Sequence, residues 1–249
     1  MRPLSLISLL MFGCLSLNLQ AAPLQVAAST WPPYVDESAA RRGAAVVIVE
    51  QALKRAGFDV NMVVDIWPRS LEGTRSGVYD VIAAAWYSEA RNKELAFSRP
   101  FLKNHLKFVV LKGRGLKYES TQDLEGKMIG TIRDYAYGEP FDSARLAIRV
   151  PANHVIQNLR RLVLGQIDMV LADEQEIRYT IRTFMADQTS SLELLPTSIS
   201  SNGLHIAVSR ATPGYEHILQ RFDDAIDSMR EDGSLQRIID EYEISSVCC

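Results

Sequence analysis

The sequence predicts an α/β fold of two lobes, each a mostly parallel sheet flanked by helices, joined by two hinge strands. Three observations predict it. Short apolar runs alternate with helix-like segments over residues 24–86, a strand–helix–strand–helix–strand spacing that suits a parallel, twisted sheet. One pattern then occurs twice: a helix end at 71–77 leads through Val78-Tyr79-Asp80 to the apolar run 81–85, and one at 159–165 leads through Gln166-Ile167-Asp168 to 169–172. Gly77 and Gly165 suit the left-handed residue after a helix, and Asp opens each strand. Third, these strands deliver Trp86 and Asp173 to their carboxyl ends, where open α/β sheets bind ligands.

Residues 1–22 read as a secretion signal: Arg2, an apolar run over 4–19, then Gln20-Ala21-Ala22. This predicts a cleavable leader and a periplasmic product. Cys14 raises lipidation, but Phe12 stands where a lipobox wants a small residue. After the leader no run approaches the ~20 apolar residues of a membrane span. The remaining ~227 residues suit two lobes better than one minimal domain.

Strand 24–29 ends in Trp31-Pro32-Pro33-Tyr34, a loop because the prolines cannot continue ladder pairing. Gly43 opens a helix with Val46, Val49, Leu53 and Ala56 on one face, closed by Gly57. Strand 58–64 follows, then Asp65-Ile66-Trp67-Pro68-Arg69, with Pro68 in the first turn of a helix to Arg75. Beyond strand 81–85, Ser88 is placed as the N-cap of a helix over 89–96. Strand 106–111 and the break Lys112-Gly113-Arg114-Gly115 mark the first crossing between lobes. A capped turn at 121–126 and strand 127–132 lead to Arg133-Asp134-Tyr135. Helices are expected at 137–147 and 153–164, then a strand to Asp173, a helix through Phe184, the return strand 203–208 and closing helices at 212–230 and 234–242. The lobes are therefore 24–110 plus 204–249, and 113–202.

Lys plus Arg number 27 against 30 Asp plus Glu, a net charge of −3 with no basic run, which excludes nucleic acid as a partner. Outside the leader the cysteines are Cys248 and Cys249, which build neither a disulfide framework nor a metal site. His105, His154, His205 and His217 show no ligand spacing, so no metal or cofactor is expected.

All three tryptophans, Trp31, Trp67 and Trp86, fall in one lobe at or just past predicted strand ends. Each alone reads equally well as core; together they suggest an aromatic floor for a flat or aliphatic ligand. Arg91, beside Trp86 and Tyr87, is the expected anion partner, set in an open cleft where its loss would leave the fold intact. Arg69 is a second candidate or a solvated helix residue. Asp173 ends a buried strand of the other lobe, as a counter-charge, a helix cap, or both. Tyr135 and Tyr137 are placed at the start of a helix whose free N–H groups suit a carboxylate oxygen, or simply in packing.

Along nearly its whole length after the leader, the chain resembles periplasmic solute-binding proteins of the polar amino-acid type, the receptors of ABC importers. The resemblance rests on the order and spacing of Trp31-Pro-Pro-Tyr34, Gly43 to Gly57, Trp67 with Gly77-Val-Tyr-Asp80, Ser88-Glu-Ala-Arg91 with Phe97-Ser98, Asp123-Leu-Glu-Gly126-Lys127, Gly165-Gln-Ile-Asp168 with Asp173, and Glu231-Asp-Gly233-Ser234-Leu235. It implies a monomer of two lobes closing on a small zwitterion for delivery to an ABC permease. Arg91 maps to the ligand carboxylate, Asp173 to its ammonium, and Trp31 and Trp67 to the side-chain walls. This chain departs from the family at Asp134-Tyr135, where Gly-Ser or Gly-Thr is usual, and at Ala84-Ala85-Trp86, where hydroxyls are usual. With Asp134 and Asp173 opposing Arg91, a neutral, aromatic or cationic amino acid is expected in preference to a dicarboxylate.

Two other functions use the same scaffold. A sensory accessory protein would pass ligand occupancy to a membrane receptor. Cyclohexadienyl dehydratases resemble these proteins and carry a Glu shortly after the second-lobe aspartate, the place of Glu176 here.

Overall fold

In a computed structural model, residues 22–37 and 42–244 are described; the leader with Cys14, and Cys248 and Cys249, lie outside them. The elements run β1 (Leu24–Ser29), α1 (Ala44–Arg55), β2 (Val60–Asp65), α2 (Trp67–Arg75), β3 (Val81–Trp86), α3 (Glu89–Asn92), β4 (Leu95–Phe97) and β5 (Leu102–Leu111). There follow β6 (Met128–Ile132), β7 (Ile148–Ala152), α4 (Val155–Val163), β8 (Met169–Asp173), α5 (Glu174–Phe184), β9 (Leu192–Ser209), α6 (Tyr215–Glu231) and α7 (Ser234–Glu241). The sheet order is β2-β1-β3-β9-β5-β8-β6-β7, with β4 on β9.

Each half has a parallel centre, β2-β1-β3 in the first and β7-β6-β8 in the second. The strands that serve both are β5 and β9, antiparallel to each other and far longer than the strands they join. Their register slips twice, between Leu106 and Lys107 and between Lys107 and Val109, opposite residues 194–200 of β9. Pro196 falls in that stretch and offers no ladder donor.

The repeated helix–Gly–x–x–Asp–strand unit has a physical purpose. Gly77 and Gly165 take φ of 77° and 69°, and the two aspartates do the same job. Asp80 accepts the backbone N–H of Gln25 in β1 at 2.8 Å, and Asp168 that of Met128 in β6 at 2.8 Å. Each carboxylate thus ties the start of its strand to the start of the neighbouring one.

Three expectations are corrected. The helix placed at 89–96 stops at Asn92, because Leu95–Phe97 pairs with Ser209 to Ala207 instead. The stretch 137–147 is a series of turns rather than a helix: Gly138 takes φ of 78°, and Pro140 disfavours helical backbone at Glu139. β7 was not anticipated. It is an exposed edge strand, so it lacks the apolar alternation of a buried one and tolerates Pro151.

One packed core runs from α1, α6 and α7 across the midline through Trp31, Trp86 and Tyr137 to Phe108, Phe141 and Leu171. A second lies on the other face of the second half, around Val155, Leu159, Leu162 and Ile177. Gly43, at φ 96°, lets α1 start against the Trp31–Tyr34 loop: a Cβ there would lie 2.4 Å from the Tyr34 carbonyl oxygen. Gly43→Ala is therefore expected to cost about 1–3 kcal/mol, lowering Tm by roughly 2–12 °C for a chain of this size. A thermal melt matching wild type would contradict that account of the loop.

Candidate ligand-binding site

The carboxyl ends of β1 and β3 in the first half face the turn after β6 and the start of α5 in the second. β3 is buried along its whole length, so its last residue, Trp86, projects into the midline. There its indole donates to Asn104 Oδ1 at 2.8 Å. Ser88 caps α3 by accepting the Arg91 backbone N–H at 3.2 Å, and this short helix turns the Arg91 side chain back over the strand end.

Arg91 is 5% exposed, so the open cleft expected around it is instead a closed one. Its guanidinium donates to the Trp86 carbonyl at 2.7 Å and to the Asp134 carbonyl at 2.7 Å, and stacks 4.8 Å from the Trp67 ring centre. Among the described residues no carboxylate lies within ion-pair distance of it. Burial, with Arg75 adding repulsion, pushes its pKa down to about 10. It remains a cation at neutral pH, touched directly by neutral groups with the Asp134 and Asp142 carboxylates acting from a distance, and a buried cation of that kind favours an anion beside it.

The aromatic floor is real and carries a lid of the same chemistry. Trp31 stands edge-on to Trp86 at 5.4 Å. Tyr135, from the second half, sits 5.1 Å from Trp86, 6.0 Å from Trp67 and 6.2 Å from Trp31, near-perpendicular to each. Such edge-to-face pairs each contribute about 0.5–1.5 kcal/mol beyond their buried area. The cavity lined by Ser29, Trp31, Trp67, Trp86, Arg91 and Tyr135 is about 20 Å³, on the scale of a single water.

Behind the aromatics lies an acid pair. Asp173 accepts from Tyr34 Oη at 3.1 Å, Asn104 Nδ2 at 3.1 Å, and the N–H groups of Gln175 and Glu176 at 3.0 Å each. It caps α5, one of the two jobs read from sequence, and all four of those donors belong to the protein. Among the described residues, Glu176 accepts only from the Trp31 indole N–H, at 2.8 Å. Burial raises both acids, Asp173 to about 6 and Glu176 well above the usual carboxylate range, the latter also through Asp173. Four donors against one set the order: the negative charge falls on Asp173 first, and Glu176 holds its proton longer.

This pair gives a pH prediction with a definite sign. Both pKa values are raised on folding, so their stabilisation is complete below about pH 4, the unfolded range, and is lost as pH rises through about 6 and above. Asp123 and Asp232 are pulled down by hydrogen bonds, and they act at lower pH. As pH rises above the unfolded carboxylate range, Glu176 is expected to lower wild-type stability by up to about 1.4 kcal/mol per pH unit, while His205, whose pKa burial lowers, acts in the opposite direction. Glu176→Gln, which keeps an acceptor for Trp31, should flatten that slope in thermal melts. An unchanged slope would contradict the assignment.

Three candidates sit differently from expectation. Tyr87 is exposed, its hydroxyl on Glu89 and its ring 5.3 Å from Phe97. Arg69 points to solvent and pairs with Asp65 at 3.2 Å. Asp134 takes part through its backbone: its carbonyl accepts from Arg91 and from the Trp67 indole at 3.1 Å, while its side chain is exposed. Tyr137 is structural, its hydroxyl accepting the Ile132 N–H at 2.7 Å. Asn104 was not foreseen. Its signal is an amide at a buried position of an alternating strand, between Leu102 and Leu106.

The sequence profile of bacterial extracellular solute-binding proteins, family 3, matches residues 24–244. The chain is 24% identical over 222 residues to the L-cystine-binding protein TcyJ of Escherichia coli (strain K12), covering 86% of this chain and 79% of that protein. It is 23% identical over 202 residues to a probable histidine-binding protein of Campylobacter jejuni, covering 79% and 75%. Among solved structures, a histidine kinase sensor domain with similarity to periplasmic binding proteins superposes with a TM-score of 0.79 at 20% identity, over 90% of this chain and 97% of that one.

Proposed function

Because the chain belongs to the bacterial extracellular solute-binding proteins of family 3, we propose that it binds a small zwitterion, an amino acid or close relative, in the cleft between its halves. A membrane permease is the partner proposed to receive it, on the periplasmic side. One observation carries the reading: a buried guanidinium, Arg91, aimed into an aromatic cleft with no carboxylate partner among the described residues. A ligand carboxylate would supply the missing anion, the indoles would pack its side chain, and the Asp173–Glu176 pair would accept its ammonium. The relatives that match most of their length are named for binding cystine and histidine, which supports binding without chemistry.

The enclosed volume is far smaller than an amino acid, so binding requires the halves to part. The hinge we propose is the register break of β5 and β9, at residues 106–109 and 194–200, where ladder bonds are already interrupted. The test is a thermal-shift screen of amino acids, amines and small carboxylates on residues 22–249. A ligand at 100 times its Kd adds about 2.7 kcal/mol, or roughly 5–11 °C for a chain of this size. Shifts from dicarboxylates alone would overturn the ligand class, and turnover of prephenate or arogenate would replace binding by catalysis.

A further inference from the structure

We propose that the Asp134–Tyr135 turn is a built-in occupant of the cleft, taking the place of a ligand on Arg91 and the indoles and holding the ligand-free protein closed. The inference deepens the reading above and rests on it for the location of the ligand.

The turn fills the places of an amino acid's carboxylate oxygen and side chain, without the charge. The Asp134 carbonyl oxygen receives Arg91 Nη2 at 2.7 Å and Trp67 Nε1 at 3.1 Å, two converging donors from the first half on one acceptor from the second. Asp134 adopts φ of 60°, a left-handed conformation that Asp tolerates better than most residues, and this geometry accompanies the inward carbonyl. The next residue, Tyr135, places its ring against Trp31, Trp67 and Trp86 at once. Its hydroxyl is pushed well above the ordinary tyrosine value by burial and then by Glu176, so it enters the acid pair's surroundings as a neutral group. The carbonyl is the carboxylate's stand-in and the ring is the side chain's. About 20 Å³ is left between them, so in this closed form Tyr135 stands where an amino acid would lie.

Self-occupancy sets how ligand is bound. Only the open fraction accepts ligand, so the apparent Kd is the intrinsic Kd divided by that fraction. If the open form is about 1–10% of molecules, removing the plug tightens binding about 10- to 100-fold. A Tyr135 that merely lined the ligand pocket would have the opposite effect, since its loss would weaken binding.

The decisive experiment needs no ligand. Small-angle scattering of ligand-free wild type should give a radius of gyration near the ~17 Å of a single compact body of this length. Tyr135→Ala should shift it upward, while Tyr135→Phe, which keeps the ring, should stay at the wild-type value. Acrylamide quenching of wild-type tryptophan fluorescence gives a reading independent of any variant's folding: Trp31 and Trp86 should be shielded in the free protein. A wild type that is as extended as Tyr135→Ala, a Tyr135→Ala as compact as wild type, or free indoles quenched like those of the unfolded chain would overturn the proposal. A protein closed in these measurements yet unmoved by every amino acid would instead overturn the functional reading and leave the plug standing.

Discussion

Arg91→Ala is expected to weaken binding of the cognate ligand by about 30-fold to several thousand-fold. Truncating one partner of a buried, hydrogen-bonded charge pair typically costs about 2–5 kcal/mol, and each 1.4 kcal/mol is about tenfold. The structure adds a qualification to the idea that this residue lies in an open cleft. Arg91 also satisfies the Trp86 and Asp134 carbonyls, so the variant should unfold at a lower temperature as well. The two effects separate: titration calorimetry at a temperature where the variant is fully folded reads affinity alone. Arg91→Lys should recover charge but not the fork that reaches both carbonyls, and should bind between the two. Affinity of Arg91→Ala equal to wild type would remove Arg91 from the site.

Asn104→Leu should be the most damaging single change to the fold around the cleft. The amide is fully buried and bridges two groups: its oxygen takes the Trp86 indole N–H and its nitrogen donates to Asp173 Oδ2. Leucine keeps the branched shape, with somewhat more bulk, and leaves an indole donor and a carboxylate short of partners at once. Hydrogen bonds to charged groups are worth about 1.5–3 kcal/mol, and an orphaned buried donor costs about 1–3. Together they amount to about 2.5–6 kcal/mol, a fall in Tm of roughly 5–24 °C. Loss of a donor to its charged form should also raise Asp173 further, shifting its titration above about 6. A melt within a degree or two of wild type would mean that water replaces the amide and that the bridge is not structural.

The contrast between Arg91 and Asn104 shows what a sequence reveals of such a site. Strand β3, the Ser88 cap and the two Gly–x–x–Asp units were legible because each follows from local rules: an apolar run, an N-cap, a left-handed glycine. Trp31, Trp67 and Trp86 were legible because they fall at strand ends. What could not be read is decided by contacts with residues distant in sequence. β4 exists because β9 offers it a partner, and the first half of β9 reads polar because it crosses between halves. Arg69 and Tyr87 have the right chemistry at the right strand ends but point outward, which no local pattern specifies. Asp134 was read as a charge, yet it acts through a carbonyl whose direction depends on the turn. Asn104 matters only because Trp86 and Asp173, from opposite halves, meet on either side of it.

The central claim is that a ligand carboxylate completes Arg91, and it can be tested without altering the protein. The amino acid giving the largest thermal shift should be compared by calorimetry with its own carboxamide, which keeps the side chain and ammonium and removes the negative charge. Loss of at least about 30-fold in affinity is the expected result, the lower end for truncating a buried charge pair. A carboxamide that binds as tightly as the acid would contradict it, leaving the buried guanidinium a structural group and the cleft without its anion.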